Sequence, residues 1–135
     1  MDERLDRTCP CGSGDPCRAC CGRYLTGLGE GGAAPTAAAL MRSRYTAFAL
    51  GDVEHPSATW HPSTRPADLH LDDDTRWLHS SVGPTTGGGP FDRAGTVEFT
   101  AVFRGPDGRG ELREHSRFVK ENGRWLYVDG DVGVV

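Results

Sequence analysis

The sequence has no long hydrophobic stretch and no excess of basic charge. It contains no run of about 18 apolar residues, which argues against a membrane-spanning helix. The first residues, Met1-Asp2-Glu3-Arg4, lack the basic and then apolar character of a secretory leader. The formal net charge of -4 lacks the overall basic character of a nucleic-acid-binding protein. We therefore expect a cytoplasmic protein that has no membrane association and no sequence-specific DNA binding.

The chain is also short of core-forming residues and of known catalytic motifs. Hydrophobic residues make up 36% of 135 positions, whereas 19 glycines and 9 prolines favour turns and irregular segments. This length fits one domain with a small appendage. There is no phosphate-binding loop, dinucleotide fingerprint, nucleophile elbow or metalloprotease helix. The sequence therefore assigns no catalytic residue and no organic cofactor, and favours a protein that is not an enzyme.

Cysteine is absent outside one short segment, because all five cysteines lie between Cys9 and Cys21. This clustering predicts a small metal-binding module over residues 1–26. The next segment, residues 27–35, is rich in glycine and can bury little, which predicts a flexible linker. Residues 36–135 would then form the body of the protein.

The cysteine cluster can be arranged around one metal ion. Zinc accepts four thiolates tetrahedrally, and a short chain can supply two from a Cys-x-Cys turn and two from a second turn about eight residues later. Neighbouring residues on a strand point to opposite faces, so the step from Cys20 to Cys21 must be a turn or a helix start. A disulfide scaffold and an iron-sulfur cluster are the alternatives. Zinc is favoured because the cysteine count is odd, cytosolic thiols stay reduced, and so polar a loop needs a metal to order it.

The body combines helices with a later set of strands. Thr36 is a suitable N-cap for a helix over Ala37 to Leu50, which Gly51 ends. A short second helix before Trp60 would start no earlier than Pro56. Strands are predicted over 77–82, 96–103, 112–120 and 124–129, and the last three form an antiparallel meander joined by turns. The fold class is therefore α+β.

The cysteine segment resembles the SEC-C motif, a zinc hook also found at the C-terminus of SecA preprotein translocases. The resemblance rests on Cys9-Pro-Cys-Gly-Ser-Gly and on the eight residues between Cys11 and Cys20-Cys21-Gly22. It implies one structural Zn²⁺ held by Cys9, Cys11, Cys20 and Cys21. Cys17 stands where the motif usually has an aromatic residue, and its spacing to Cys20 also suits zinc. Cys17 could thus replace Cys21 as a ligand, but we predict that it does not.

The rest of the chain resembles the YchJ-like family of bacterial proteins. The matching blocks are 40–48, 59–66 and 114–118, together with 125–130. The family's body is similar to the nuclear-transport-factor-2-like (NTF2-like) fold, a curved antiparallel sheet packed on helices to form a cone. The resemblance implies a zinc hook followed by an NTF2-like domain over residues 36–135.

A cone of this kind would enclose a candidate pocket. Arg44 lies on the apolar stripe of the first helix, and a buried arginine needs an acid or a bound anion. Asp129, expected to share a strand face with Tyr127, is a candidate partner for it in a structural ion pair. Alternatively, the pocket holds an anionic or planar ligand, with His61 as the only candidate general base, because histidine is the residue type suited to proton transfer near neutral pH. The candidate pocket residues are Arg44, Tyr45, Trp60, His61, Arg65, Arg117, Trp125 and Asp129, and none is assigned as catalytic.

Three functions are compatible with these features. The first is a noncatalytic adaptor whose zinc hook, with Arg18 and Arg23 beside the metal, docks to a protein or ribonucleoprotein partner. The second is a small-molecule-binding protein or an enzyme that uses the cone. The third is a thiol sensor or metal store in which Cys17 is the spare thiol. The fold also suggests a homodimer formed through the sheet.

Overall fold

The computed structural model describes residues 2–71 and 74–134 as an N-terminal hook, two helices and a four-stranded sheet. The hook contains three short 3-10 helices, Glu3–Leu5, Cys17–Ala19 and Cys21–Arg23. The helices of the body are α1 (Ala37–Leu50) and α2 (Glu54–Ala58). The strands are β1 (Arg76–Gly87), β2 (Ala94–Gly105), β3 (Gly108–Glu121) and β4 (Arg124–Val134). The α+β prediction is confirmed. No helix in the described part of the chain is long and apolar enough to cross a membrane.

Helix α1 begins and ends where the sequence predicts. The Thr36 side chain accepts a hydrogen bond from the Ala39 amide at 3.0 Å, which satisfies one of the free amides of the first turn. Gly51 adopts a left-handed conformation with φ 83° and ends the helix. Both boundaries are confirmed.

The prediction for α2 was wrong at its start, because the helix begins at Glu54 and not at Pro56. Pro56 lies in the first turn, where a backbone N–H has no partner within the helix, so a proline loses nothing there. The Asp52 carboxylate accepts a hydrogen bond from the His55 amide at 3.2 Å and caps this turn. This hydrogen bond satisfies a backbone amide that has no acceptor within the helix, and so stabilises a helix of only five residues.

The sheet is an antiparallel meander in the order β1-β2-β3-β4. The three predicted C-terminal strands are confirmed, and β1 is longer than predicted, with 12 residues. Asn122 and Gly123 both have positive φ, 52° and 76°, as a tight two-residue hairpin requires. The curved sheet packs against α1 through a core that includes Tyr45, Phe99 and Trp125.

A β-bulge in β4 changes which side chains face the core. Phe118 pairs with Tyr127, but Arg117 pairs with Asp129, so Val128 is an extra residue on β4. A bulge of this kind interrupts the strict alternation of faces along a strand. Tyr127 therefore points into the core, and Asp129, two residues later, lies on the outer face beside Arg117.

The hook and residues 27–35 are fastened to the body by packing and hydrogen bonds. Leu5, Leu25 and the cysteines form an apolar cluster with Ala47 of α1. The Gly27 and Leu28 amides each donate to Asp52 Oδ2 at 3.0 Å. The segment expected to be a flexible linker is thus tied down, because its glycine amides find acceptors that composition does not reveal. The domain boundaries at residues 26 and 36 stay a prediction.

Candidate metal centre and the neighbouring cavity

Four cysteine sulfurs converge in the hook. The Sγ atoms of Cys9, Cys11, Cys20 and Cys21 all lie within 4.8 Å of one another. Cys20, with φ -125° and ψ -116°, connects two short 3-10 helices, so that the Cys20–Cys21 step is a turn, as predicted. The resulting geometry lets two adjacent side chains approach one point.

The donor set fits a tetrahedral metal ion. Sulfurs around a zinc ion lie about 3.8 Å apart, because each Zn–S bond is about 2.3 Å. Cys11 Sγ and Cys20 Sγ are 3.6 Å apart, and all five cysteines are free thiols. The structure therefore contains no disulfide scaffold among its described residues, and the cluster could hold a metal ion.

The electrostatics of the cluster also favour a bound cation. Hydrogen bonds from the neighbouring thiols of Cys11, Cys17 and Cys21 lower the pKa of Cys9. Hydrogen bonding of Cys21 to Cys11 and Cys9, together with burial, raises the pKa of Cys21. Four thiols at this distance cannot all ionise without a compensating positive charge, and a divalent ion would supply it.

Two hydroxyl groups contact the cluster from outside. Ser13 Oγ donates to Cys20 Sγ at 3.1 Å, and Thr46 Oγ1 of α1 lies 3.6 Å from Cys9 Sγ. Thr46 is fully buried, so this contact joins the cluster directly to the helix of the body. Hydrogen bonds of this kind orient metal ligands and stabilise thiolates.

Cys17 lies in the hook but outside the group of four sulfurs. It is fully buried, and its hydrogen bond to Cys9, together with burial, raises its pKa. The two arginines expected beside the metal are exposed. Arg18 pairs with Asp6 at 3.0 Å, and Arg23 donates to the Cys20 carbonyl at 2.9 Å. The ion pair of Arg18 reduces the basic character expected for this surface.

A cavity of about 220 Å³ lies between α1 and the sheet. Its walls are mostly apolar and include Met41, Phe48, Trp77, Phe99, Ala101 and Leu112. Its polar lining comprises Arg44, Tyr45, Trp60, Glu114 and Tyr127. Three of the eight predicted pocket residues, Arg44, Tyr45 and Trp60, are therefore brought together here.

Arg44 is buried without a carboxylate partner within ion-pair distance among the described residues. Its Nη1 donates to the Pro56 carbonyl and to Thr59 Oγ1, both at 2.8 Å. The guanidinium carbon lies 4.9 Å from the Trp60 ring centroid and 4.5 Å from that of Tyr127. Burial lowers the pKa of Arg44 to about 10, whereas Tyr127 and Glu114 act in the opposite direction. Two aromatic rings, one carbonyl oxygen and one hydroxyl oxygen thus replace the expected acid.

The remaining five predicted pocket residues do not line this cavity. Asp129 pairs with Arg117 on the outer face, so the expected Arg44–Asp129 ion pair was wrong, and the bulge at Val128 is the reason. The side chains of the other three make hydrogen bonds elsewhere. His61 Nε2 lies 2.9 Å from Glu121 Oε2, Arg65 donates to the Trp60 carbonyl, and Trp125 donates to the Pro35 carbonyl.

Sequence reasoning missed Glu114 and Tyr127 as lining residues. Glu114 lies on the same face of β3 as the buried Ser116 and Phe118, and that alternation was the signal that could have found it. Ser116 Oγ donates to Glu114 Oε2 at 2.6 Å. Gly130 lies against this carboxylate, where a Cβ would approach Glu114 Oε2 to 2.5 Å.

His55, to which the sequence pattern assigns no role, is the centre of a buried junction. The Thr26 amide donates to His55 Nδ1 at 3.2 Å, and His55 Nε2 lies 2.9 Å from Ser43 Oγ. Nδ1 must therefore be the acceptor, and Nε2 carries the proton. The side chain connects the segment after the hook to α1 and α2. Burial, together with the charge of Arg44, lowers the pKa of His55 to about 4.

This low pKa predicts a stability loss in mild acid. Between pH 6.5 and about 4, the unfolded chain binds a proton at His55 and the folded chain does not, so the free energy of unfolding should fall as pH decreases. The loss from this group should approach about 3 kcal/mol. Denaturant titrations at a series of pH values measure it.

The matched controls are two histidine variants. His55→Gln should flatten the slope in this pH window, whereas His70→Gln, which alters an exposed histidine, should keep it. Equal slopes for the wild type and His55→Gln would contradict the prediction.

The fold and the cysteine site together define a class: an NTF2-like domain that carries an N-terminal SEC-C motif. Residues 36–130 match the family described as YchJ, middle NTF2-like domain. The chain therefore belongs to the YchJ-like family. It is 48% identical over 123 residues to a UPF0225 protein of Streptomyces coelicolor, covering 91% of this chain and 94% of the relative. It is 50% identical over 133 residues to a UPF0225 protein of Corynebacterium efficiens, covering 98% of both chains.

Two solved structures share this architecture. A SEC-C motif containing protein from Rhodopseudomonas palustris, solved in solution, is 34% identical with a TM-score of 0.79, covering 93% of this chain and 98% of that one. The crystal structure of a SEC-C motif containing protein from Psychrobacter arcticus is 28% identical with a TM-score of 0.77, covering 98% of this chain and 86% of that one. The family, the motif and the fold inferred from the sequence are thus confirmed.

Proposed function

We propose that the protein binds one structural Zn²⁺ through Cys9, Cys11, Cys20 and Cys21. The observation that carries this proposal is the convergence of these four sulfurs within 4.8 Å. When bound, the ion cross-links two turns of a segment that has little apolar surface of its own. Four thiolates complete the tetrahedral shell and leave no position for a substrate, so the site is structural and noncatalytic.

The hook then acts as a docking element for a protein or ribonucleoprotein partner in the cytoplasm. One side of the hook packs on α1 through Leu5, Leu25 and Ala47. The hook also exposes the loop of residues 12–16 and the two arginines Arg18 and Arg23. A metal-ordered loop loses little conformational entropy on binding, which favours its use as a contact surface.

Charge reversal on the hook should abolish partner capture and leave zinc in place. We expect the tagged double variant Arg18→Glu, Arg23→Glu to lose the proteins that the wild-type chain retains from native lysate. Arg93→Glu, Arg113→Glu is the matched control, because it reverses two exposed arginines outside the hook. Zinc content is measured for each chain, and nuclease treatment separates direct protein partners from RNA-bridged ones.

The outcome that contradicts docking through the hook is specific. If both double variants retain zinc and capture the same partners as the wild type, the hook surface is not the contact. If the control loses the same partners as the hook variant, the effect comes from net charge and not from the hook.

A further inference from the structure

The cavity contains two opposite charges that do not meet. Arg44 and Glu114 are the only charged side chains that line it in the part of the chain that the structure describes. They form no ion pair within 4 Å, although each lies within electrostatic range of the other. The lining therefore has a formal net charge of zero and leaves space between its cation and its anion.

Several polar groups around this space are unused by the protein. The hydrogen bonds of Arg44 within the described chain both come from Nη1, which leaves the rest of its guanidinium edge available. Tyr45 Oη and Trp60 Nε1 are buried and have no hydrogen-bond partner among the residues that the structure describes. Unpartnered buried polar groups each carry a desolvation cost that a bound group can relieve.

The rest of the lining is apolar and aromatic. Trp77, Phe99 and Leu112 contribute walls, and the volume of about 220 Å³ lies below the range typical of drug-sized ligands. A ligand must therefore be small, with a flat apolar body. A charged ligand would pair with either Arg44 or Glu114 and be repelled by the other across a medium of low polarity.

We propose that this cavity binds a small, planar, uncharged molecule that carries an adjacent hydrogen-bond acceptor and donor, such as an amide. The acceptor faces Arg44 and the donor faces Glu114, so that the ligand bridges the two charges. The aromatic walls hold its flat body. This binding site is independent of the zinc hook and of its docking partner.

Three probes of matched size and different charge test the ligand class. Benzamide is neutral, benzoate is an anion, and benzylamine is a cation at neutral pH. We expect benzamide to bind about tenfold more tightly than either charged probe. Binding is followed on the zinc-loaded full chain through the three indole N–H signals in NMR spectra.

Those indole signals provide an internal control. Trp60 and Trp77 line the cavity, so their signals should shift on addition of benzamide. Trp125 lies outside this cavity and donates to the Pro35 carbonyl, so its signal should stay in place. Equal shifts at all three tryptophans, or no shift with any probe, would overturn the site.

Removal of one charge should reverse the selectivity. In Glu114→Gln, Arg44 is left uncompensated, and benzoate should become the tightest probe by about tenfold. Glu98→Gln is the control, because Glu98 lies on the outer face of the neighbouring strand and pairs with His115. Ala101→Leu, which fills the cavity, should abolish binding of every probe. If benzoate is already preferred by the wild type, or if Glu114→Gln leaves the ranking unchanged, the ligand class is wrong.

Discussion

Replacing Cys21 with serine should release the bound zinc, whereas the same replacement at Cys17 should leave about one zinc ion per chain. Cys21 supplies one of the four converging sulfurs, and Cys17 lies outside them. Structural zinc contributes an apparent binding free energy of about 10–16 kcal/mol in small zinc-binding peptides. The loss of one thiolate should therefore lower the metal affinity by orders of magnitude.

Elemental analysis of reduced, freshly purified protein measures this difference directly. Cys17→Ser is the matched control, because it makes the same atomic change at an equally buried cysteine of the same hook. Loss of metal only in Cys17→Ser would show that Cys17 is the fourth ligand. Iron in place of zinc, or no metal in the wild type, would contradict the zinc proposal.

Truncation of Phe118 to alanine should cost about 3–5 kcal/mol of unfolding free energy, as expected for a buried phenylalanine. Phe118 is 1% exposed and packs edge-on against Tyr127 at a centroid distance of 5.7 Å. The alanine would leave a hole between the sheet and the residues that cover it. Denaturant unfolding of the zinc-saturated protein measures the cost.

Phe91 offers a control of the same residue type, because it is 99% exposed in the loop between β1 and β2. Phe91→Ala should change stability by no more than about 0.5 kcal/mol. Similar losses for the two variants would mean that Phe118 does not occupy the core.

The predictable parts of the fold follow from local chemistry. The Thr36 cap and Gly51 set the limits of α1, and the Asn122-Gly123 turn set the register of the last hairpin. The convergence of the four cysteines was also predictable from the sequence, because their spacing suits metal coordination and resembles a known motif. In each case the information lies within a few residues of the feature.

The features that were missed depend on contacts between distant residues. Strict alternation along β4 placed Asp129 in the core, but the bulge at Val128 moved it to the surface. No property of Val128 itself announces that bulge. In the same way, the burial of His55 depends on Thr26 and Ser43, and neither lies near it in sequence. The glycine-rich composition of residues 27–35 predicts a flexible linker, because the carboxylate of Asp52 that accepts hydrogen bonds from this segment lies about 25 residues further along the chain.

Helix α1 is covered on nearly every side, since the hook contacts Thr46 and Ala47 while Arg44 and Tyr45 face the cavity. Within the 14 residues of the helix, only Arg42 is exposed. One residue inserted into an α-helix rotates everything after it by about 100°. An insertion between Met41 and Arg44 would therefore move the Thr46 hydroxyl away from Cys9 Sγ and Arg44 away from the cavity at the same time. The length of α1 is consequently more strictly constrained than its amino-acid composition. We expect insertions and deletions to be tolerated in the loops of the protein but not within this helix.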